Sequence, residues 1–192
     1  NGNPNQMAAK TTQLPEGEFD FRDPSKRNLY VKSIVEDIVP YVEKNFRAIA
    51  DPDHRAIAGL SMGGGGCIKA TGTINSLIDA AVVLAPASSE VAKNAAENIT
   101  VPIQLQVGNN DGMVTPDRVK PYYNDLITNS TIKEYLSITG GNHIGYIDEF
   151  FARVAEWIGL DKPKEIEFSE QHRISSKYFT AWFQYHLKKQ ND

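Results

Sequence analysis

Residues 54–66 read His54-Arg55-Ala56-Ile57-Ala58-Gly59-Leu60-Ser61-Met62-Gly63-Gly64-Gly65-Gly66, and this stretch decides the fold. The apolar run from His54 to Gly59 predicts a buried strand, and Met62 to Thr71 predicts a helix. Between them lies a G-x-S-x-G motif, which in this context holds a serine hydroxyl above the end of a sheet as a nucleophile. We therefore predict that Ser61 is a nucleophile, flanked by glycines because side chains would clash in so tight a turn.

The same glycine-rich turn is also compatible with a phosphate cradle. A Walker loop would need Gly-Lys-Ser or Gly-Lys-Thr, which this stretch does not contain. The helix N-terminus after Ser61 favours negative charge nearby. The Met62 N–H, next to the nucleophile, is therefore predicted to donate to an oxyanion.

A serine hydroxyl needs a base and an acid that orients the base, in the chain order serine, acid, histidine. Asp111 follows a predicted strand at Ile103–Val107, and His143 follows another at Glu134–Ile138. Catalytic groups of open α/β sheets collect at the carboxyl ends of strands. Asp111 and His143 are therefore the predicted acid and base.

Other acidic and histidine residues fit these roles less well. His54 precedes its strand and so lies at the opposite end of the sheet. His172 falls in a predicted polar linker, and His186 falls on the last helix, where packing or solvent exposure explains it. Asp117 and Asp148 are predicted first-turn helix residues, which the helix dipole stabilises.

The remaining pattern is that of alternating strands and helices. A further strand is predicted at Ala80–Leu84, and helices are predicted at 25–46 with a kink at Pro40, 116–126, 146–158 and 175–188. This order predicts βαβ units in an α/β fold, a three-layer α/β/α sandwich with a mostly parallel sheet. We expect a single domain over residues 1–192, in which residues 146–170 could form a partial lid.

The composition excludes several classes of protein. The chain has 192 residues, a net charge of −4 and 41% hydrophobic residues, which argues against a nucleic-acid binder. No apolar run approaches membrane-spanning length. The single Cys67 excludes an internal disulfide and a cysteine-rich metal site. We predict no cofactor and no metal ion.

Two groups of α/β-hydrolase esterases resemble the chain. The first part is similar to feruloyl esterases of the esterase D group, through Asn28-Leu29-Tyr30, the segment 37–43 and the segment 54–64. From Ser61 onward the chain resembles bacterial cutinases, polyester hydrolases and dienelactone-hydrolase-like enzymes. The matching pieces are Ser61–Gly66, Val101-Pro102, Gly108–Asp111, Lys120–Tyr123, Lys177-Tyr178 and Ala181-Trp182.

The resemblance implies a Ser61–Asp111–His143 triad, with Met62 as an oxyanion donor, and favours a secreted protein. The chain departs from cutinases in carrying Pro86-Ala87-Ser88 where they have a tryptophan, and in lacking their C-terminal disulfide. Members of the fold also place several strands before the nucleophile. We expect the sheet to lack these N-terminal strands in this chain, and other residues or a second copy in a homo-oligomer to complete it.

The predicted function is hydrolysis of carboxylic esters, with feruloyl, other aryl or short-chain acyl esters as leading substrates. A cutinase-like polyester hydrolase and a thioesterase are alternatives within the same chemistry. A different class is a catalytically inactive binding module that has retained the turn around Ser61. The expected partner is a small or polymer-linked ester, without nucleic acid or membrane.

Overall fold

The computed structural model describes residues 29–188. The chain divides into two compact units, Asn1–Ala50 and Asp51–Asp192. The single domain over residues 1–192 and the partial lid at 146–170 stay predictions. The start of the first predicted helix, at residues 25–28, lies outside the described residues.

In the first unit the helical segment is built from three pieces. Helix α1 spans Leu29–Ser33, a wider π turn spans Ile34–Ile38, and helix α2 spans Val39–Asn45. Pro40 lies in the first turn of α2. The hydrogen bonding changes from α to π just before the proline, whereas the kink at Pro40 stays a prediction.

The second unit contains a four-stranded parallel sheet in the order β1-β2-β3-β4. The strands are β1 Ala56–Leu60, β2 Ala80–Leu84, β3 Ile103–Gly108 and β4 Lys133–Ile138, which confirms all four predicted strands to within two residues at each end. Within residues 29–188, no strand precedes β1, and β1 pairs only with β2. The completion of the sheet by other residues or a second copy stays a prediction.

The five helices described in this unit are α3 Met62–Thr73, α4 Glu90–Ala96, α5 Pro116–Pro121, α6 Glu149–Trp157 and α7 Phe168–Leu187. A π turn at Tyr122–Leu126 extends α5. Sequence reasoning missed α4, a short alanine-rich helix whose first turn is capped by the Ser89 hydroxyl, which accepts from Ala92 N at 3.1 Å.

Helix α7 begins earlier than the sequence predicts, and this corrects the assignment of His172 to a linker. The run around His172 is polar, but Phe168 and Gln171 within it are fully buried. A buried polar side chain breaks the apolar periodicity on which the prediction rested. The ring Nε2 of His172 lies 2.8 Å from the carbonyl of Ile147, so this histidine packs against the chain that follows His143.

Alternate residues of β3 show that helices cover both faces of the sheet. Ile103, Leu105 and Val107 are fully buried in the same core as residues of α3, α4 and α5. Gln104 and Gln106 point to the other face, where the Gln106 side chain accepts from the Ser175 hydroxyl of α7 at 2.7 Å. The sheet thus lies between two helical layers, which confirms the predicted α/β/α sandwich.

Candidate active site

Ser61 occupies a sharp turn between β1 and α3. Its φ of 56° and ψ of −118° lie in a region that non-glycine residues rarely adopt, at a cost of about 1–3 kcal/mol. Three backbone hydrogen bonds hold this geometry. Ser61 N donates to Leu84 O at 2.9 Å, and Ser61 O accepts from Gly65 N at 3.0 Å and Ala87 N at 2.8 Å. The strained turn is therefore fixed by β2 and the loop after it.

The two motif glycines have different roles, and one of them corrects a prediction. A Cβ on Gly59 would lie 2.4 Å from the Gly63 carbonyl oxygen and 2.7 Å from the Cys67 sulfur, so α3 packs too closely on β1 for any side chain. A Cβ on Gly63 would meet no described atom within 4 Å. The predicted clash is therefore present at Gly59 and wrong for Gly63.

Asp111 and His143 are joined by a buried hydrogen bond. His143 Nδ1 lies 2.8 Å from Asp111 Oδ2, and the two residues are 6% and 0% exposed. Asp111 Oδ1 accepts from the backbone N–H groups of Met113 at 2.9 Å and Val114 at 2.6 Å. Because both oxygens of the carboxylate are engaged, the side chain has one orientation, with Oδ2 towards the imidazole.

The loops that carry these two residues are also bonded to each other. Asn109 Oδ1 accepts from Gly140 N at 2.7 Å, and Asn110 N donates to Gly141 O at 2.9 Å. Gly108 is required here because its Cβ would lie 2.3 Å from the Gly141 carbonyl oxygen. The ends of β3 and β4 therefore form one hydrogen-bonded platform.

Gln171, on α7, holds the histidine loop from the other side. Its Oε1 accepts from Asn142 N at 3.0 Å, and its Nε2 donates to Asn142 O at 2.8 Å. A Cβ at Gly145 would lie 2.0 Å from the same Oε1, so this glycine leaves the space that Gln171 fills. Sequence reasoning missed Gln171, because its partners are backbone groups of a distant loop.

Ser61 lies at the same edge of the sheet as the Asp111–His143 pair. All four strands run in parallel, and Leu60, Leu84 and Gln106 occupy matching positions near their ends. The described contacts join Asp111 to His143, whereas the contact between the Ser61 hydroxyl and the imidazole stays a prediction. Met62 begins α3, so its N–H has no acceptor within the helix, and its role as an oxyanion donor also stays a prediction.

Residues 20–154 of the chain match the family model described as PET hydrolase-like. The chain belongs to this PET hydrolase-like family. The match covers well over half of the chain and includes Ser61, Asp111 and His143.

Solved structures show that this family member has the α/β-hydrolase fold. The chain is 18% identical to a putative dienelactone hydrolase of Klebsiella pneumoniae, with a TM-score of 0.59, and the match covers 81% of this chain and 61% of that one. It is 16% identical to the acylaminoacyl peptidase of Pyrococcus horikoshii, with a TM-score of 0.62 over 87% of this chain and 29% of that one. It is 18% identical to SOBER1 of Arabidopsis thaliana, with a TM-score of 0.54, and that match covers 86% of this chain and 67% of SOBER1. The chain therefore spans less than two thirds of the first two of these proteins.

His54 and His186 lie away from the platform, as the sequence predicts. His54 ends the short 3₁₀ turn before β1, and its Nδ1 lies 3.4 Å from Asp51 Oδ2. The His186 ring packs 4.4 Å from the Trp182 ring, and burial lowers the pKa of His186. Asp117 lies in the first turn of α5, also as predicted.

Two buried titratable groups near the site stay neutral. Burial raises the pKa of Tyr146, and the nearby charge of Asp111 raises it further. Burial likewise raises the pKa of the Cys67 thiol to about 12. Because a thiol with so high a pKa supplies almost no thiolate, Cys67 is not a candidate nucleophile.

A cavity of about 550 Å³ opens beside Asp111, against the face of β4 that carries Tyr135 and Ser137. Its lining is mostly polar and includes Lys120 and Lys162, but neither Ser61 nor His143. The cavity therefore lies beside Asp111 rather than at Ser61.

Within residues 29–188, no three His, Cys, Asp or Glu side chains are grouped to hold a metal ion. In the same range, no helix has the length and apolar character needed to cross a membrane.

Proposed function

We propose that this PET hydrolase-like protein hydrolyses carboxylic esters through Ser61, His143 and Asp111. The observation that carries the proposal is the buried 2.8 Å hydrogen bond between Asp111 Oδ2 and His143 Nδ1. A carboxylate can only accept, so Nδ1 carries the proton and Nε2 is left free to take another. This is the tautomer that a base for a serine hydroxyl requires.

The reaction then follows from the roles of these groups. His143 Nε2 takes the proton as the Ser61 oxygen attacks the ester carbonyl, and the negative charge that develops on the carbonyl oxygen is met by the Met62 N–H. The imidazolium next protonates the leaving alcohol, which gives an acyl-enzyme. In the second half-reaction His143 takes a proton from a water molecule as the water attacks the acyl-enzyme, and the imidazolium then returns that proton to the Ser61 oxygen as the bond to the acyl group breaks and the carboxylic acid leaves. Asp111 stabilises the charged imidazole throughout.

The substrate is proposed as a feruloyl or other aryl ester, or a short-chain acyl ester. The match to a family described as PET hydrolase-like favours an aromatic polyester as the second candidate. All of these candidates contain a carboxylic ester, and so all use the same steps at Ser61; the carbonyl is bonded directly to the ring in a terephthalate and through a C=C bond in a ferulate. Comparing turnover of methyl ferulate, a short p-nitrophenyl ester and a soluble terephthalate oligomer distinguishes them.

The test of the activity is Ser61→Ala with a matched control. Ser61→Ala should lower kcat for a p-nitrophenyl ester by about 10⁴-fold or more, while the far-UV circular dichroism stays that of the wild type. Ser176→Ala changes an exposed serine on α7 and should retain full activity. Undiminished activity of Ser61→Ala would reject the assignment, and a folded wild type that neither turns over esters nor reacts with a fluorophosphonate would favour the binding module.

A further inference from the structure

A single carboxylate, that of Asp161, bonds to the backbone of both loops of the candidate site. Its Oδ2 accepts from His143 N at 2.6 Å and from Ile144 N at 3.2 Å. Its Oδ1 accepts from Gly112 N at 2.8 Å, and also from the N–H of its own neighbour, Lys162, at 2.8 Å. One oxygen therefore serves the histidine loop and the other serves the loop of the acid.

These contacts reach the backbone of His143 itself and the residue directly after Asp111. Gly112 is closely packed here, since its Cβ would lie 2.9 Å from Asp161 Oδ1. Hydrogen bonds to a charged acceptor are shorter and stronger than bonds to a neutral one, so the carboxylate restrains both loops more firmly than a neutral side chain would.

The segment that carries Asp161 is anchored to the same two loops by further bonds. Asn110 Nδ2 donates to Pro163 O at 2.6 Å, and Asn142 Nδ2 donates to Lys162 O at 2.8 Å. These bonds fix the direction from which the Asp161 carboxylate approaches. The stretch between α6 and α7 is therefore built onto the platform rather than lying free above it.

We propose that Asp161 is a positioning residue, which sets the distance and angle between Asp111 and His143 by holding their loops to one carboxylate. The proposal rests on the function proposed above, because only a His143 that acts as a base makes this alignment matter for rate. Asp161 has no place in the reaction itself. It affects the fraction of molecules in which the His143 imidazole has the orientation needed for proton transfer.

The decisive variant is Asp161→Asn, which keeps the shape but provides only one acceptor oxygen. Whichever way the amide turns, its NH₂ group faces backbone donors, either those of His143 and Ile144 or those of Gly112 and Lys162. Asp161→Glu keeps both oxygens and is the conservative variant. Asp148→Asn is the matched control, since Asp148 caps α6 through Phe150 N and bonds to neither loop.

Two measurements on the full chain separate positioning from general stability. The first is the far-downfield NMR resonance of the His143 Nδ1 proton, which reports the bond to Asp111 without any substrate. The second is kcat and KM for a p-nitrophenyl ester. For Asp161→Asn we expect the resonance to broaden or move, kcat to fall about 10- to 100-fold and KM to stay within about twofold. Asp161→Glu should restore part of kcat, and Asp148→Asn should match the wild type.

The results also separate this proposal from the function on which it rests. A wild-type resonance and wild-type kcat in Asp161→Asn, even with a lower melting temperature, would show a merely structural role and overturn the proposal. If the wild type neither turns over esters nor reacts with a fluorophosphonate, the proposed function fails. The NMR comparison then still decides whether Asp161 aligns the pair.

Discussion

Replacing Asp111 with asparagine tests the assignment of the base most strictly, because the structure dictates how the amide must turn. Asp111 Oδ1 accepts from the Met113 and Val114 N–H groups. An NH₂ group placed there would leave two backbone donors without an acceptor, at a cost of about 1–3 kcal/mol each. The amide oxygen therefore stays on that side, and the NH₂ group faces His143 Nδ1.

The expected consequence is the wrong tautomer of His143. An NH₂ group at the former Oδ2 position donates to Nδ1, so the ring proton moves to Nε2, where it blocks the transfer from Ser61. In triad enzymes this change lowers kcat about 10⁴-fold, which corresponds to roughly 5 kcal/mol of activation free energy. The fold should survive, because the two bonds from Met113 and Val114 are retained.

The assay is kcat for a p-nitrophenyl ester, combined with ¹⁵N chemical shifts of the imidazole to identify the tautomer. Asp117→Asn makes the same substitution at an exposed position in α5 and should change kcat by less than about twofold. An Asp111→Asn variant that keeps more than a tenth of the wild-type kcat would refute the reasoning, as would an unchanged tautomer.

Three further predictions follow from packing and burial. Gly59→Ala should lower the free energy of unfolding by about 3 kcal/mol, or the Tm by roughly 6–12 °C, because the added Cβ would lie 2.4 Å from the Gly63 carbonyl oxygen. Gly63→Ala should be neutral or stabilising by up to about 1 kcal/mol, because a Cβ there meets no described atom. Equal losses of Tm in the two variants would contradict this. The Cys67 thiol should not react with a thiol reagent at pH 8 until the protein is unfolded, because burial raises its pKa to about 12. Rapid labelling of Cys67 in the native protein would contradict its burial. Tyr146→Phe should leave the free energy of unfolding unchanged or raise it by about 1 kcal/mol, since the hydroxyl is buried and bonds to none of the described residues. A clear decrease in the free energy of unfolding, measured by urea denaturation, would contradict this.

The sheet and the three candidate residues could be predicted from the sequence, the strands and Ser61 from local patterns and the other two residues from the topology. The strands are short apolar runs, and Ser61 lies in a motif whose glycine at 59 is enforced by close packing of α3. Asp111 and His143 could be selected because parallel strands bring their carboxyl ends to one edge. Topology alone therefore indicated that residues distant in the chain would meet.

The residues that the sequence did not reveal act on backbone groups of distant loops. Asp161 and Gln171 bind the N–H and C=O groups of the histidine loop, and a backbone partner leaves no side-chain pattern in the sequence. The early start of α7 was missed for a related reason, since Gln171 is buried and polar. Gly63 was misjudged because the motif suggests crowding on both sides of Ser61, whereas close packing occurs only at Gly59.

Covalent labelling of the native protein with a fluorophosphonate tests the central claim most directly, since the reagent reacts with a serine oxygen only when a base activates it. We predict one label per chain, located at Ser61 by peptide mass spectrometry and absent from Ser61→Ala and His143→Ala. A folded wild-type protein that remains unlabelled, or one labelled at another serine, would contradict the assignment of Ser61 and His143 as nucleophile and base.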